Sequence, residues 1–293
     1  METVRLRLDI AYDGTAFSGW GRQPRLRTVQ GELEQAIATL LRHPEHDVRL
    51  VVAGRTDAGV HAIGQVAHID LTAEQWRALG ASRRAGSIEH SITRRLNGLI
   101  GRQGADVVVG RVSVAAAGFD ARFSALWRRY TYRVADARSR RDPRRRGHTL
   151  WHTAELDVDA MNAACRSLTG LHDFAAFCRP REGATTIRTL LDYQWARDDE
   201  GVLVAEVRAD AFCHSMVRAL VGAAIEVGKH ELSVAQLHQV FEGARRENVF
   251  SVVAARGLTL MEVGYPPDDE LAARAELTRA RRERAGRSAE PSD

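Results

Sequence analysis

Ala53-Gly54-Arg55-Thr56-Asp57-Ala58-Gly59-Val60-His61-Ala62 joins two apolar stretches, residues 48–53 and 65–71, that read as short strands. The segment is therefore a strand-to-strand loop with one carboxylate set between two glycines. Gly54 and Gly59 are expected to take backbone angles closed to other residues and to let a ligand come close. Arg55 stands two places before Asp57, so a guanidinium accompanies the acid. Local composition leaves two readings open: a carboxylate that caps its own turn, or one offered to a substrate.

Outward from the loop, Val4, Leu6, Leu8 and Ile10 alternate with polar residues, the period of a half-buried strand over 4–12. Thr28 is placed to cap a helix running to 41, a second helix is expected over 88–100, and a strand over 106–114. The order is βαββαβ. It repeats after a connecting stretch at 115–127: a strand around Tyr130, Tyr132 and Val134, a helix over 158–168, strands over 187–196 and 202–209, helices over 214–227 and from Ser233, and a strand over 258–263. The expected fold is α+β, with two split-βαβ (ferredoxin-like) halves related by a pseudo-dyad, a mixed, largely antiparallel central sheet and helices packed on one side. The expected divisions are 1–115, 116–267 and a charged, solvated tail at 268–293.

At 293 residues, 44% hydrophobic and 27% charged, the chain is long enough for two ordinary domains with a sizeable core. No apolar run has the length of a membrane span and the chain opens on a charged strand, so a cytoplasmic location is expected. Cys165, Cys178 and Cys213 lack CxxC spacing and suggest neither a disulfide framework nor a zinc site. The formal charge of +4 permits a nucleic-acid partner without requiring one. The run Arg138, Arg140, Arg141, Arg144, Arg145, Arg146 is either a solvated loop or a phosphate contact.

Two further places carry candidate chemistry. His214, Arg218 and Gly222 fall at steps of four on one helical face while Val217, Leu220, Val221 and Ala224 fill another, so a buried Arg218 needs an acidic partner. Tyr130, in an alternating strand, is either a core aromatic or a ring available to a ligand.

The string Gly-Arg-Thr-Asp-Ala-Gly-Val-His-Ala at 54–62 resembles the catalytic loop of the tRNA pseudouridine synthase A family, with Asp57 at the nucleophile position. The likeness runs from Val4 to Pro266. It includes Tyr12-Asp13-Gly14-Thr15 with Phe17-Ser18-Gly19-Trp20, Phe119-Asp120-Ala121-Arg122-Phe123-Ser124-Ala125, Arg128-Arg129-Tyr130-Thr131-Tyr132, and Phe212-Cys213-His214-Ser215-Met216-Val217-Arg218. It departs at Gly21, where the family commonly has glutamine, at Gly101, where a proline often follows the second helix, and at Ala254-Ala255-Arg256, which lacks the usual proline.

The resemblance implies an isomerase acting on uridines 38 to 40 of the tRNA anticodon stem and loop, as a homodimer, without cofactor or metal. It implies Asp57 as nucleophile, Arg218 as its ion-pair partner, and Tyr130 stacking on the uracil and helping to remove its C5 proton. Arg55 is implied to hold the flipped nucleotide. Phe119, Asp120, Ala121, Arg122 and Phe123 are implied to contact RNA, and Arg138 is the candidate from the arginine-rich loop. The alternative is a structured-RNA-binding protein without catalysis, in which Asp57 only caps its loop.

Overall fold

The computed structural model describes residues 3–81, 86–101, 104–179, 185–243 and 249–287. The chain divides into two compact units, Met1–Leu126 with Glu262–Ala280, and Trp127–Met261 with Arg281–Asp293. Among the described residues there are ten strands and seven helices. Six strand pairs within the units are antiparallel and one short pair is parallel.

In the first unit β1 (Thr3–Tyr12) lies between β3 (His61–Thr72) and β4 (Val107–Val114), and β2 (Val51–Val52) extends the sheet beyond β3. The order β4-β1-β3-β2 is that of a split βαβ unit. Its helices are α1 (Val29–Leu41), α2 (Ala73–Ala81) and α3 (Ile88–Ile100). Thr28 caps α1 by accepting from the Gly31 N–H at 3.3 Å, and Ser87 caps α3 by accepting from His90 at 3.2 Å. Leu6 and Leu8 of β1 with Ile69, Leu71 and Val112 gather against Ile37, Leu40, Leu79, Ile92 and Leu96. Burying each such side chain contributes about 1.5–3 kcal/mol, and this layer holds the helices on the sheet.

In the second unit β5 (Trp127–Ala135), β9 (Leu203–Ala209), β8 (Ile187–Arg197) and β7 (Gly170–Asp173) pair in that order. β6 (Leu150–Trp151) runs parallel to the end of β5. β10 (Leu258–Gly264), whose first four residues belong to this unit, is the other neighbour of β5. The order β10-β5-β9-β8 repeats that of the first unit, so the element repeat read from the sequence is a repeat of topology. The helices are α4 (Val158–Leu168), α5 (Met216–Gly228) and α6 (Val234–Glu242). α5 is buried almost all round, which is why it reads as a core helix rather than an amphipathic one.

Several expectations need correction. Cys178 and Cys213 form a disulfide with Cα atoms 5.7 Å apart, although their separation of 35 residues carries no motif. Cys165 is buried and outside the disulfide. α5 begins at Met216, because Ser215 takes a left-handed conformation at φ 64° and breaks the helix before it reaches His214. The segment from 268, expected as a solvated tail, carries α7 (Leu271–Arg287), with Leu271 and Ala275 buried. No helix of the described residues is long and apolar enough to cross a membrane.

The second unit is tied at the end of β5 by a buried ion pair. Asp136 accepts from Arg197 Nη2 at 2.7 Å and Nη1 at 3.0 Å, from the Ser139 hydroxyl at 2.8 Å and from the Leu156 N–H at 3.1 Å. Burial pushes the Asp136 carboxyl up, but the Arg197, Ser139 and Leu156 bonds outweigh it and hold the group at about 2, against an ordinary 3.8. A depressed carboxyl contributes stability above its unfolded pKa and loses it as pH falls through the folded value. Urea midpoints should therefore fall between pH 4 and pH 2 in the wild type. Asp136→Asn should be less stable at pH 7 by roughly 2 kcal/mol or more and should lose that acid-dependent step. An Asn variant with the wild-type acid profile would remove Asp136 as its cause.

Candidate active site

The loop 54–60 is held by the stretch that follows β1. Trp20 N–H donates to the Thr56 carbonyl at 3.0 Å and Gly59 N–H to the Phe17 carbonyl at 3.3 Å. Below them Tyr12 Oη and Thr56 Oγ1 share a hydrogen bond at 2.7 Å, and Gln65 Nε2 donates to Tyr12 Oη at 3.2 Å and to the Gly54 carbonyl at 3.0 Å. Thr56, Tyr12 and Gln65 are buried, and burial pushes the Tyr12 phenol up to about 12, so it remains a neutral hydrogen-bonding group. Two glycines allow the approach. A Cβ at Gly14 would overlap the Val60 carbonyl, and Gly19, at φ 96°, lies against the peptides of Thr56 and Ala58. Of the loop's own glycines, Gly59 has a positive φ of 77° and Gly54 does not; Gly54 serves through its carbonyl.

The result is a rigid loop with a half-exposed Asp57 and an exposed Arg55 at its tip. The Arg55 stem runs along Gly21: a Cβ there would touch Arg55 Cδ and Nε at 3.6 Å. The missing glutamine at this position therefore leaves the guanidinium's approach open. His61 is buried, and its Nδ1 accepts from the Gly14 N–H at 3.0 Å. That nitrogen also lies 3.1 Å from the Asp13 carboxylate, so His61 braces the turn after β1.

The 119–123 turn lies in the same unit. Asp120 accepts from the Arg122 and Phe123 N–H groups, each at 2.9 Å, and pairs with Arg279 at 2.7 Å. Burial raises the Asp120 carboxyl, but the two backbone bonds, nearby His68 and the Arg279 bond prevail and leave it lowered. Arg5 Nη1 donates to the Phe119 carbonyl at 2.6 Å, and Ala121 accepts from Tyr265 Oη at 2.7 Å. Phe119, Asp120 and Ala121 are buried, Phe123 is half-buried and Arg122 is exposed. The first three shape the turn, and Arg122 is what the turn presents.

In the second unit the structure brings together two of the sequence-predicted segments. Tyr130, 8% exposed, meets Phe212 edge-on with centroids 5.2 Å apart, and Phe212 lies six residues before Arg218. Arg218 Nε donates to the Val253 carbonyl at 2.7 Å, which fixes the direction of the half-buried side chain. A Cβ at Gly222, one turn on, would overlap the Ser251 carbonyl, so the glycine lets 251–253 lie close to α5. Arg138 is exposed and pairs with Glu155 at 3.2 Å. Arg144 and Arg145 pair with Asp142 and Glu200, so the arginine-rich loop is partly matched by its own acids. Sequence reasoning missed Tyr12, Thr56, Gln65 and His61 as the bracing set: Tyr12 falls in the 12–20 motif and Thr56 and His61 in the 54–62 string, but nothing in the sequence brings them together with Gln65.

A family model described as tRNA pseudouridine synthase matches residues 10–85 and 164–266. The chain is 57% identical over 284 residues to tRNA pseudouridine synthase A of Leifsonia xyli subsp. xyli, covering 96% of this chain and 98% of that one. It is 52% identical to the protein of the same name from Streptomyces avermitilis, over 95% of this chain and 94% of that one. The Mycobacterium leprae protein is 49% identical over 95% of each.

Two glycine variants test the brace. Gly14→Ala forces a methyl into the Val60 carbonyl and should destabilise the protein by roughly 2 kcal/mol or more. Gly21→Ala meets only ordinary contact with a flexible side chain and should change stability by less than about 0.5 kcal/mol. Equal denaturation midpoints for the two would show that the loop is not held by this close approach.

Proposed function

Because the chain belongs to the tRNA pseudouridine synthase family, we propose that it converts uridines 38 to 40 of the anticodon stem and loop to pseudouridine with Asp57 as nucleophile. The observation that carries this is a half-exposed carboxylate at the tip of a loop whose backbone is tied on both sides. In the reaction the bond from ribose C1′ to uracil N1 breaks and one from C1′ to C5 forms. The C5 proton leaves and N1 regains a proton, so nothing is oxidised and no water is consumed. If Asp57 attacks C1′ it displaces N1 and is itself displaced as C5 bonds to C1′; if it attacks C6 it is eliminated from C6 after the base has reattached.

Arg218 is the proposed ion-pair partner of Asp57, and within its own unit its Nε donates to the Val253 carbonyl. Tyr130, with its ring placed by Phe212, stacks on the uracil and assists removal of the C5 proton. A paired uridine leaves its stack at a cost of a few kcal/mol, and the exposed Arg55 fills the space it vacates. Arg122 and Arg138, both exposed, meet phosphates and position the RNA without reading its sequence. The protein works in the cytoplasm as a homodimer with tRNA lying across both subunits.

Release of tritium from C5-labelled uridine in tRNA tests the chemistry. Asp57→Asn should lower release by at least about 10⁴-fold while tRNA binding persists. Undiminished release would remove Asp57 from the mechanism, and binding without release by the wild type would favour a non-catalytic RNA-binding protein. Tyr130→Phe keeps the ring and should slow release by about 10²-fold. Equal rates would leave Tyr130 a packing residue.

A further inference from the structure

The Cys178–Cys213 bond takes no part in the proposed chemistry, yet it lies in the second unit beside a group that does. Residues 210–215 link the end of β9 at Ala209 to the start of α5 at Met216 without helix or strand. The link carries Phe212, whose ring meets Tyr130 edge-on, and Cys213 is the next residue. The other end of the bond is rigid. Cys178, 1% exposed, ends a short helical turn whose Phe174 and Phe177 are fully buried and pack on Phe241 with centroids 5.3 and 5.8 Å away.

Hydrogen bonds hold the ends of the link. Asp210 Oδ1 accepts from the Thr189 and Ala211 N–H groups at 3.1 and 2.6 Å, and Arg179 N–H donates to the His214 carbonyl at 3.1 Å. Beside Phe212 the covalent tie is the disulfide, with Met216 N–H donating to the Cys213 carbonyl at 3.1 Å. Cys213 is half-buried, so a small thiol reaches its sulfur more readily than that of Cys178. Burial pushes the third thiol, Cys165, up to about 12, so it stays protonated and unreactive. Thiols in the cytoplasm are kept reduced, and the disulfides that form there are mostly transient or redox-sensing.

We propose that Cys178–Cys213 is a reversible redox site for low-molecular-weight thiols and their disulfides, and that the closed bond latches Phe212 against Tyr130. The proposal rests on the proposed function for the role of Tyr130 and for the cytoplasmic setting. In the reducing direction a small thiolate attacks Cys213 Sγ and forms a mixed disulfide there, while Cys178 leaves as a thiolate and takes up a proton. A second small thiolate attacks the sulfur of the first and releases Cys213, which is protonated in turn. Two small thiols have then become one small disulfide, and their two electrons and two protons reside on the cysteines. Oxidation by the small disulfide is the reverse. With the bond open the link keeps the ties at its ends but gains freedom at 212–213. Tyr130 is then less well placed and removal of the C5 proton slows, whereas none of the proposed phosphate contacts belongs to the link.

The full-length protein is equilibrated with dithiothreitol or with oxidised glutathione and freed of reagent. Alkylation after unfolding should find all three thiols in the first form and Cys165 alone in the second. Tritium release should show a kcat at least about threefold higher in the oxidised form, with the tRNA dissociation constant unchanged. Amide hydrogen exchange over 210–215 should be slower in that form. Cys178→Ser and Cys213→Ala should each show the rate of the reduced wild type under both treatments. Phe212→Ala should lower kcat and erase the difference between the forms. Equal release by the two wild-type forms makes the bond a structural one and overturns the proposal, whatever reduction does to thermal stability. A bond that dithiothreitol fails to open in the folded protein overturns it as well. If neither form releases tritium, the proposed chemistry fails, and slower exchange over 210–215 in the oxidised form still upholds the latch.

Discussion

The contact on which the site depends is backbone against backbone: the turn after β1 lying on the loop 54–60, with Gly14 and Gly19 at the points of closest approach. Peptide groups cannot be brought this close past a Cβ, so the choice of glycine at 14 and 19 is a steric condition for the loop's shape. Once there, Trp20 and Gly59 exchange hydrogen bonds with Thr56 and Phe17, and the Tyr12, Thr56 and Gln65 side chains close the space beneath. The backbone that carries Asp57 is thereby fixed. A reactive group held before the substrate arrives costs less to align in the transition state.

The other candidate groups are placed by the same device, a side chain or peptide committed to holding a neighbour. Arg218 is aimed by the Val253 carbonyl, Tyr130 by the edge of Phe212, and Arg122 by a turn whose Asp120 is tied to two N–H groups and to Arg279. The buried acids Asp120 and Asp136 are both depressed by the bonds they accept, which marks them as structural anchors of their turns. Asp57 differs: it is half-exposed at a loop tip.

Much of the fold was legible because it is periodic. Leu6, Leu8, Ile10 and Tyr12 alternate and are buried, and Thr28 and Ser233 cap the helices they precede. What escaped has physical reasons. α2 is announced only by Thr72 and Gln75, a capping pair in which Gln75 N–H donates to Thr72 Oγ1 and Thr72 N–H to Gln75 Oε1; too few apolar residues follow for a periodic signal. β6 and β7 are two and four residues long, short enough for pairing partners rather than pattern to decide them. The Cys178–Cys213 bond joins residues 35 apart, a distance along the chain that no local reading spans. α7 looked like a solvated tail because its composition is polar, yet helix propensity and the small buried stripe of Leu271 and Ala275 prevailed. For the candidate site, the resemblance named Asp57, Arg55, Tyr130 and Arg218, but the bracing set stayed hidden because Tyr12, Thr56 and Gln65 meet only after the strands pair.

The most direct test of a poised Asp57 is a comparison of tRNA from three strains, one with the gene intact, one lacking it and one carrying Asp57→Asn, mapped for pseudouridine through the anticodon stem and loop. The account predicts that the same uridines are modified in the first strain and left as uridine in both others. Pseudouridine persisting at those positions in the Asp57→Asn strain, but not in the strain lacking the gene, would contradict it.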